Sequence, residues 1–185
     1  MSSAEVKLMT AEEFAELPDD GQPRELVRGE VVSMNVPFPR HGQICTKIIR
    51  LLGNHVEERQ LGHVVANDSG VVTERGPDTV RGADVAYYSY RRVPPGPFPQ
   101  RKYLTAVPEI VFEVWSPFDR WPKVYAKVGE YLEAGVIWVG VVVDPAQQVR
   151  LFHAEEGERL LEADDDLTFP SILPDFRVAV RKFFE

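Results

Sequence analysis

Residues 109–117, Glu-Ile-Val-Phe-Glu-Val-Trp-Ser-Pro, constrain this chain more than any other stretch, because they are apolar almost throughout yet carry a carboxylate, Glu113, at their centre. Their shortness, their β-branched residues and the Ser-Pro that stops them describe a strand covered on both faces, as in a sheet with helices packed on each side. Side chains alternate along such a strand, so Glu113 shares a face with Val111 and Trp115 while Ile110, Phe112 and Val114 fill the other. A carboxylate in that setting loses several kcal/mol of hydration unless a cation, a metal or hydrogen-bond donors replace the water. Glu113 therefore requires partners, either in a structural ion pair or in a metal site.

The surrounding sequence supplies the rest of such a sheet. Residues 137–144 read as a second central strand, and the segment between, residues 122–134, opens on Pro122, ends at Gly135 and repeats Val124, Val128, Tyr131 and Leu132 at helical spacing. A helix between two buried strands predicts a parallel pair. Lys127 stands at the edge of that helical stripe, where a long side chain can reach back toward the sheet. Residues 83–88 form another extended run with an internal acid, Asp84, on the face of Ala86 and Tyr88.

Upstream, Thr10 and Glu13 make a capping pattern for a short helix reaching Leu17, and residues 24–34 read as a hairpin around Arg28-Gly29 with Glu25 and Glu30 as its polar members. Ile44, Ile48, Leu51, Leu52 and Val56 mark one long amphipathic helix over residues 41–60, with His41 a turn ahead of the stripe and Cys45 as a small core residue. Val64-Val65 and Val71-Val72 bracket Asn67-Asp68-Ser69-Gly70, which predicts a strand broken near Gly70. The four prolines within residues 91–102 make that segment a surface loop carrying a basic cluster, Arg91, Arg92, Arg101 and Lys102. Residues 149–153 and 159–162 predict antiparallel edge strands, and a final apolar segment from Phe169 to Phe184 packs back on the molecule. The fold class expected is α/β in the α+β sense: a mixed central sheet flanked by helices, with an antiparallel C-terminal extension.

With 185 residues, 44% hydrophobic and 27% charged, one domain over residues 1–185 with a substantial core is expected. No apolar run is long enough to span a bilayer and the N-terminal residues lack a signal pattern, so the expectation is a cytoplasmic protein without a membrane partner. A single cysteine excludes a disulfide framework and any cysteine-rich zinc site. The formal net charge of −8 argues against indiscriminate coating of nucleic acid but not against a nuclease, since much of the acid is concentrated in residues 155–166.

Asp84 and Glu113 on two central strands, followed by Lys127 on a helix, form the one constellation with a mechanism attached. Hard cations are commonly held by one or two carboxylates with water and substrate phosphate, and a nearby ammonium offsets developing charge. Acids also occur in the strands of many α/β domains without function. On the residues alone, Lys127 could simply pair with Glu113, His41 reads as a helix-start or hydrogen-bonded core histidine, and Glu25 is evenly balanced between a site and a surface pair with Arg24 or Arg28.

The ordered set Arg24-Glu25-Leu26-Val27-Arg28-Gly29-Glu30, Pro39-Arg40-His41, Ala83-Asp84-Val85-Ala86, the segment 108–117, Lys127 with Tyr131, Glu133-Ala134-Gly135-Val136 and Val143-Asp144-Pro145 resembles the Uma-two family of restriction endonucleases. That family is similar to the PD-(D/E)xK nuclease superfamily, and the resemblance covers nearly the whole chain. It implies a restriction-endonuclease-like fold and a metal-dependent DNA endonuclease. It further implies Asp84 and Glu113 as ligands of Mg²⁺ or Mn²⁺, Lys127 as a catalytic lysine moved from strand to helix, and Glu25 and His41 as supporting residues. A homodimer is expected, because cutting both strands of a duplex suits two-fold symmetry. Trp115 stands where the superfamily places its usual lysine, Ala83 where a proline is usual, and Lys123 where an acid is often found. The alternative expectation is a non-catalytic interaction or regulatory protein that keeps the nuclease fold. A lysine that only offsets transition-state charge would be dispensable for folding.

Overall fold

The structure is a computed structural model that describes residues 8–18 and 20–185. A short helix α1 (Ala11–Ala15) is closed at its start by the expected box, in which the Thr10 hydroxyl accepts from the Glu13 N–H and the Glu13 carboxylate accepts from the Thr10 N–H. Strands β1 (Arg24–Val27) and β2 (Glu30–Ser33) pair through a two-residue turn, Arg28 at φ 51° and Gly29 at φ 79°. Left-handed conformation at both turn residues matches the right-handed twist of a hairpin.

Helix α2 (Pro39–Glu58) is followed by β3 (Gly62–Glu74), β4 (Thr79–Ser89) and β5 (Ile110–Val114), then α3 (Trp121–Glu133) and β6 (Trp138–Val143). Strands β7 (Gln148–His153) and β8 (Gly157–Leu161) extend the sheet, whose order is β2-β1-β4-β5-β6-β7-β8 with β3 also on β4. Strands β5 and β6 run parallel, from Ile110 opposite Trp138 to Val114 opposite Val142, with α3 as the crossover between them. The pairings on either side are antiparallel, which makes the sheet mixed.

The two faces carry different helices, as the alternation around Glu113 requires. On one, Ile44, Ile48, Leu52 and Val56 of α2 pack on Val85, Tyr87, Ile110, Phe112 and Val114. The same core is closed by a separate ribbon, β9 (Asp166–Phe169) with β10 (Leu173–Ala179), and by the 3-10 turn Val180–Phe183. On the other face, Val128 and Tyr131 of α3 pack on Ala86, Tyr88, Val111, Val139 and Val141.

One local expectation is met with a different cause and one is corrected. Strand β3 is irregular on both sides of Gly70: Asn67 and Asp68 adopt φ 64° and 53° where the register shifts between Ala66 and Ser69, and it shifts again between Val72 and Glu74. Asn and Asp tolerate the left-handed region because their short polar side chains bond locally. Gly70 is demanded by packing instead: a Cβ there would lie 2.4 Å from the Tyr103 ring. In the proline-rich loop, Arg92 is not a free surface cation. Its Nη1 donates to the carbonyls of Val107 at 2.8 Å and Pro108 at 3.0 Å, and its Nε lies 3.2 Å from Glu109.

Candidate active site

Strand β4 is the element on which the site is assembled. One of its edges is paired with β3 along most of its length. The other meets β1 only at Val80 and β5 only from Val85 to Tyr87. Between these two pairings the sheet forks, and the backbone over residues 81–84 must find its partners in side chains. Gly82 N–H donates to Glu25 Oε1 at 3.0 Å, and its carbonyl accepts from Lys127 Nζ at 2.8 Å and from the Tyr131 hydroxyl at 3.3 Å. On the far prong, Val114 N–H donates to Asp84 Oδ2 at 2.6 Å.

The fork brings the sequence-predicted residues together. Val85 lies opposite Phe112, so one step further along the register Asp84 and Glu113 are neighbours on the face that α3 covers. Lys127 reaches down from α3 as its position on the helix predicted. Its Nζ donates to Glu113 Oε2 at 2.8 Å and lies 3.1 Å from Glu25 Oε1. The Tyr131 hydroxyl, one turn on, donates to Glu113 Oε1 at 2.9 Å. Glu25 is thus a buried member of the site, and its other oxygen accepts from Arg81 Nη1 at 2.8 Å. Arg81 in turn forks onto Glu130 of α3, at 2.5 and 2.8 Å.

Burial dominates the electrostatics. It pushes the Glu113 carboxyl up to about 8, against the pull of Lys127 and with a push from Asp84. Burial alone would lower Lys127, but Glu113 and Glu25 hold it above its ordinary value, so it stays an ammonium. For Glu25, burial raises and Lys127 with Arg81 lowers, and the cations win.

The second half of the fork is open. His41, in the first turn of α2, places Nε2 at 3.2 Å from Asp84 Oδ2 and Nδ1 at 3.5 Å from the Cys45 thiol. The bond to Asp84, then that to Cys45, raises His41 to about 10, so it faces Asp84 as a cation. Cys45 is half-buried, packed against the α2 core as expected and also beside His41. A pocket of about 230 Å³ opens here, lined by His41, Cys45, Asp84, Asn67 and Asp68 among others. Burial and the charge of Asp84 raise Asp68.

Sequence reasoning missed Arg81, Tyr131, Glu130 and Asp68 as parts of this assembly. Tyr131 had a usable signal, since it follows Lys127 by one helical turn and its hydroxyl needs a partner when buried. Asp68 had none, because the left-handed pair that aims it at the pocket is visible only in the backbone. The Arg91, Arg101 and Lys102 loop leaves β4 beyond Ser89, five residues past Asp84 and so about 16 Å along the strand. Trp115 shares the Glu113 side of the sheet and stacks on Trp121, with centroids 6.1 Å apart, and its buried indole N–H has no partner among the described residues. Arg120 and Lys123, at the start of α3, are exposed on the side of the fork from which Glu113 projects.

A family model named Uma2 and described as "Putative restriction endonuclease" matches residues 11–181. A crystal structure from Anabaena variabilis ATCC 29413, described as that of "a putative nuclease belonging to DUF820", superposes with a TM-score of 0.81 at 17% identity, covering 95% of this chain and 97% of that one. At that identity the likeness is one of fold. A search of curated proteins found no match.

Proposed function

Because the chain belongs to the Uma2 family, over residues 11–181, we propose that it is a divalent-metal-dependent endonuclease that hydrolyses phosphodiester bonds of DNA at the fork in β4. The observation that carries this reading is Lys127, an ammonium brought from α3 to within 2.8 Å of Glu113 beside the strand that bears Asp84. A buried Asp84 and a largely buried Glu113 on adjacent strands, with a helix lysine beside them, form a set suited to metal-assisted phosphoryl transfer.

The residues fit a hard cation. The described contacts of Asp84 both fall on Oδ2, leaving Oδ1 available, and each Glu113 oxygen has a single donor although it can accept more. Burial raises Glu113 in spite of the neighbouring ammonium, and a bound cation would favour its ionised form. Asp84 and Glu113 would hold Mg²⁺ or Mn²⁺, which when bound polarises the scissile phosphate and makes water a better nucleophile. Lys127 then offsets charge developing on the phosphate, held in place by Glu25 and the Gly82 carbonyl. Tyr131 orients Glu113, and Arg81 with Glu130 holds Glu25. His41 steadies Asp84. In this reading the chain is one domain acting on cytoplasmic DNA, and two copies related by a two-fold axis would cut the two strands of a duplex.

One observation favours the non-catalytic alternative: Lys127 already has three acceptors and both oxygens of Glu113 are engaged, a closed network that serves the fold without substrate. Calorimetric Mn²⁺ binding and Mg²⁺-dependent cleavage of plasmid and single-stranded DNA separate the two. The proposal expects one or two binding events and cleavage in the wild type, and loss of both in Asp84→Ala and Glu113→Gln. A wild type that cleaves neither substrate with any divalent ion would favour the alternative.

A further inference from the structure

We infer that His41, Cys45 and Asp84 form a second metal site of different chemistry, one that takes Zn²⁺ and, by engaging Asp84, holds the nuclease site inactive. The binding half of this inference stands on the geometry of α2 and β4, and only the inhibitory half rests on the nuclease reading.

The three side chains offer a thiolate, an imidazole nitrogen and a carboxylate oxygen, all within 4.8 Å of one another. Cys45 follows His41 by four residues on α2, so both lie on one face of the helix. That face looks across the fork at Asp84. Nε2 already lies 3.2 Å from Asp84 Oδ2, close to the separation of about 3.3 Å that tetrahedral zinc imposes on a nitrogen and an oxygen ligand, while the Cys45 thiol, now 3.5 Å from the other ring nitrogen, falls within the 4.8 Å that the three ligand atoms span. His41 needs only to give one ring nitrogen to the ion in place of its present partner. The pocket of about 230 Å³ provides the entry path and room for water or Asp68 as a further ligand.

The donor types separate this site from the first. Mg²⁺ takes oxygen and avoids thiolate, whereas Zn²⁺ accepts sulfur, nitrogen and carboxylate together in a four-coordinate shell. A single cysteine excluded a cysteine-rich zinc site, but not a mixed one assembled across two elements. Asp84 is the shared member. A zinc ion held with His41 and Cys45 would engage Asp84 Oδ2, the oxygen that the Val114 N–H now fixes, and so would compete with the first site for Asp84. Glu113, Lys127 and Tyr131 take no part in it.

The probe is Co²⁺, which occupies zinc sites and reports thiolate ligation through a sulfur-to-metal charge-transfer band. Metal-free wild type is expected to develop that band with one equivalent of Co²⁺ and to lose it on adding one equivalent of Zn²⁺. Cys45→Ser should abolish the band and weaken Zn²⁺ binding by at least about tenfold, while its thermal melt without metal stays cooperative. Cys45→Ala provides the same comparison without a hydroxyl. Glu113→Gln should keep both band and affinity. Absence of the band in the wild type, or equal Zn²⁺ affinity in wild type and both Cys45 variants, overturns the site. With Mg²⁺ and DNA present, the Zn²⁺ concentration that halves cleavage should rise at least about tenfold in Cys45→Ser, and an unchanged value overturns the inhibitory role. If the wild type never cleaves, the nuclease reading fails, and the Co²⁺ band still decides the site.

Discussion

Replacing Lys127 with alanine should damage the fold as well as the chemistry, which departs from the expectation that a charge-offsetting lysine is dispensable for folding. The Lys127 side chain is 18% exposed, and its three acceptors are the Gly82 carbonyl at 2.8 Å, Glu113 at 2.8 Å and Glu25 at 3.1 Å. Removing it takes the shared cation from two carboxylates in a region from which water is largely excluded, and leaves the Gly82 carbonyl with only the longer Tyr131 contact at 3.3 Å. Arg81 still neutralises Glu25 and Tyr131 still donates to Glu113, so the deficit falls mainly on Glu113. Breaking a buried pair by deleting one partner costs about 3–5 kcal/mol. The remaining donors put this case at the lower end, about 3 kcal/mol, or a fall in Tm of roughly 6–12 °C for a chain of this size. The assay is urea unfolding of wild type, Lys127→Ala, Glu113→Gln and the double variant. The neutral amide at 113 no longer needs a cation, so the double variant should recover about 1.5–2 kcal/mol relative to the sum of the singles. Additive effects, or a Lys127→Ala protein as stable as the wild type, would refute the network. In metal-dependent cleavage at saturating DNA, measured below the melting range of the variant, Lys127→Ala should lose about 10²–10³-fold, and the exposed Lys123→Ala should lose little.

Gly140 lies against the Phe112 ring, and an alanine Cβ there would come within 2.7 Å of two ring atoms in a core that cannot shift freely. Gly140→Ala is therefore expected to cost about 1–3 kcal/mol in urea unfolding, and an unchanged midpoint would contradict the packing. For acid stability, Glu25 is held below its ordinary 4.5 by Lys127 and Arg81 in spite of burial. A depressed carboxyl contributes stability that is fully present above its unfolded value and is lost as pH falls through its folded value. Unfolding midpoints should accordingly drop below pH 4.5 in the wild type and fall less steeply in Glu25→Gln, and parallel curves would remove Glu25 from the ion network. Salt dependence should locate the DNA face. Arg120→Ala with Lys123→Ala is expected to lower the slope of log affinity on log salt by about 0.9 per lost phosphate contact, while neutralising Arg91, Arg101 and Lys102 at the far end of β4 changes it by less than about one unit in total. The reverse pattern would put DNA on the proline-rich loop.

Much of this architecture follows from local chemistry that a sequence displays directly. The apolar runs at residues 110–114 and 138–143 are central strands because only a sheet covered on both faces can use them, and the helix between them makes the pair parallel. The Thr10–Glu13 box, the Arg28-Gly29 turn and the α2 stripe are equally local, each decided within one or two turns of chain. Alternation within a strand also determined that Glu113 faces α3 with Val111, and helical spacing determined that Lys127 could reach it. What periodicity cannot express is which edges meet. That β4 borders β1 at one end and β5 further on, leaving residues 81–84 unpaired on that edge, depends on how three strands distant in sequence settle together. This fork makes Glu25 a buried partner of Lys127 where local reasoning left it between surface and site, and it recruits Arg81 to a carboxylate pair. It also sets Cys45, which reads as an ordinary core residue on its own helix, beside a histidine and an aspartate from another element. Local propensity acts within a few residues, whereas a site shared among strands and helices exists only once long-range packing has paid its entropy and brought the charges together.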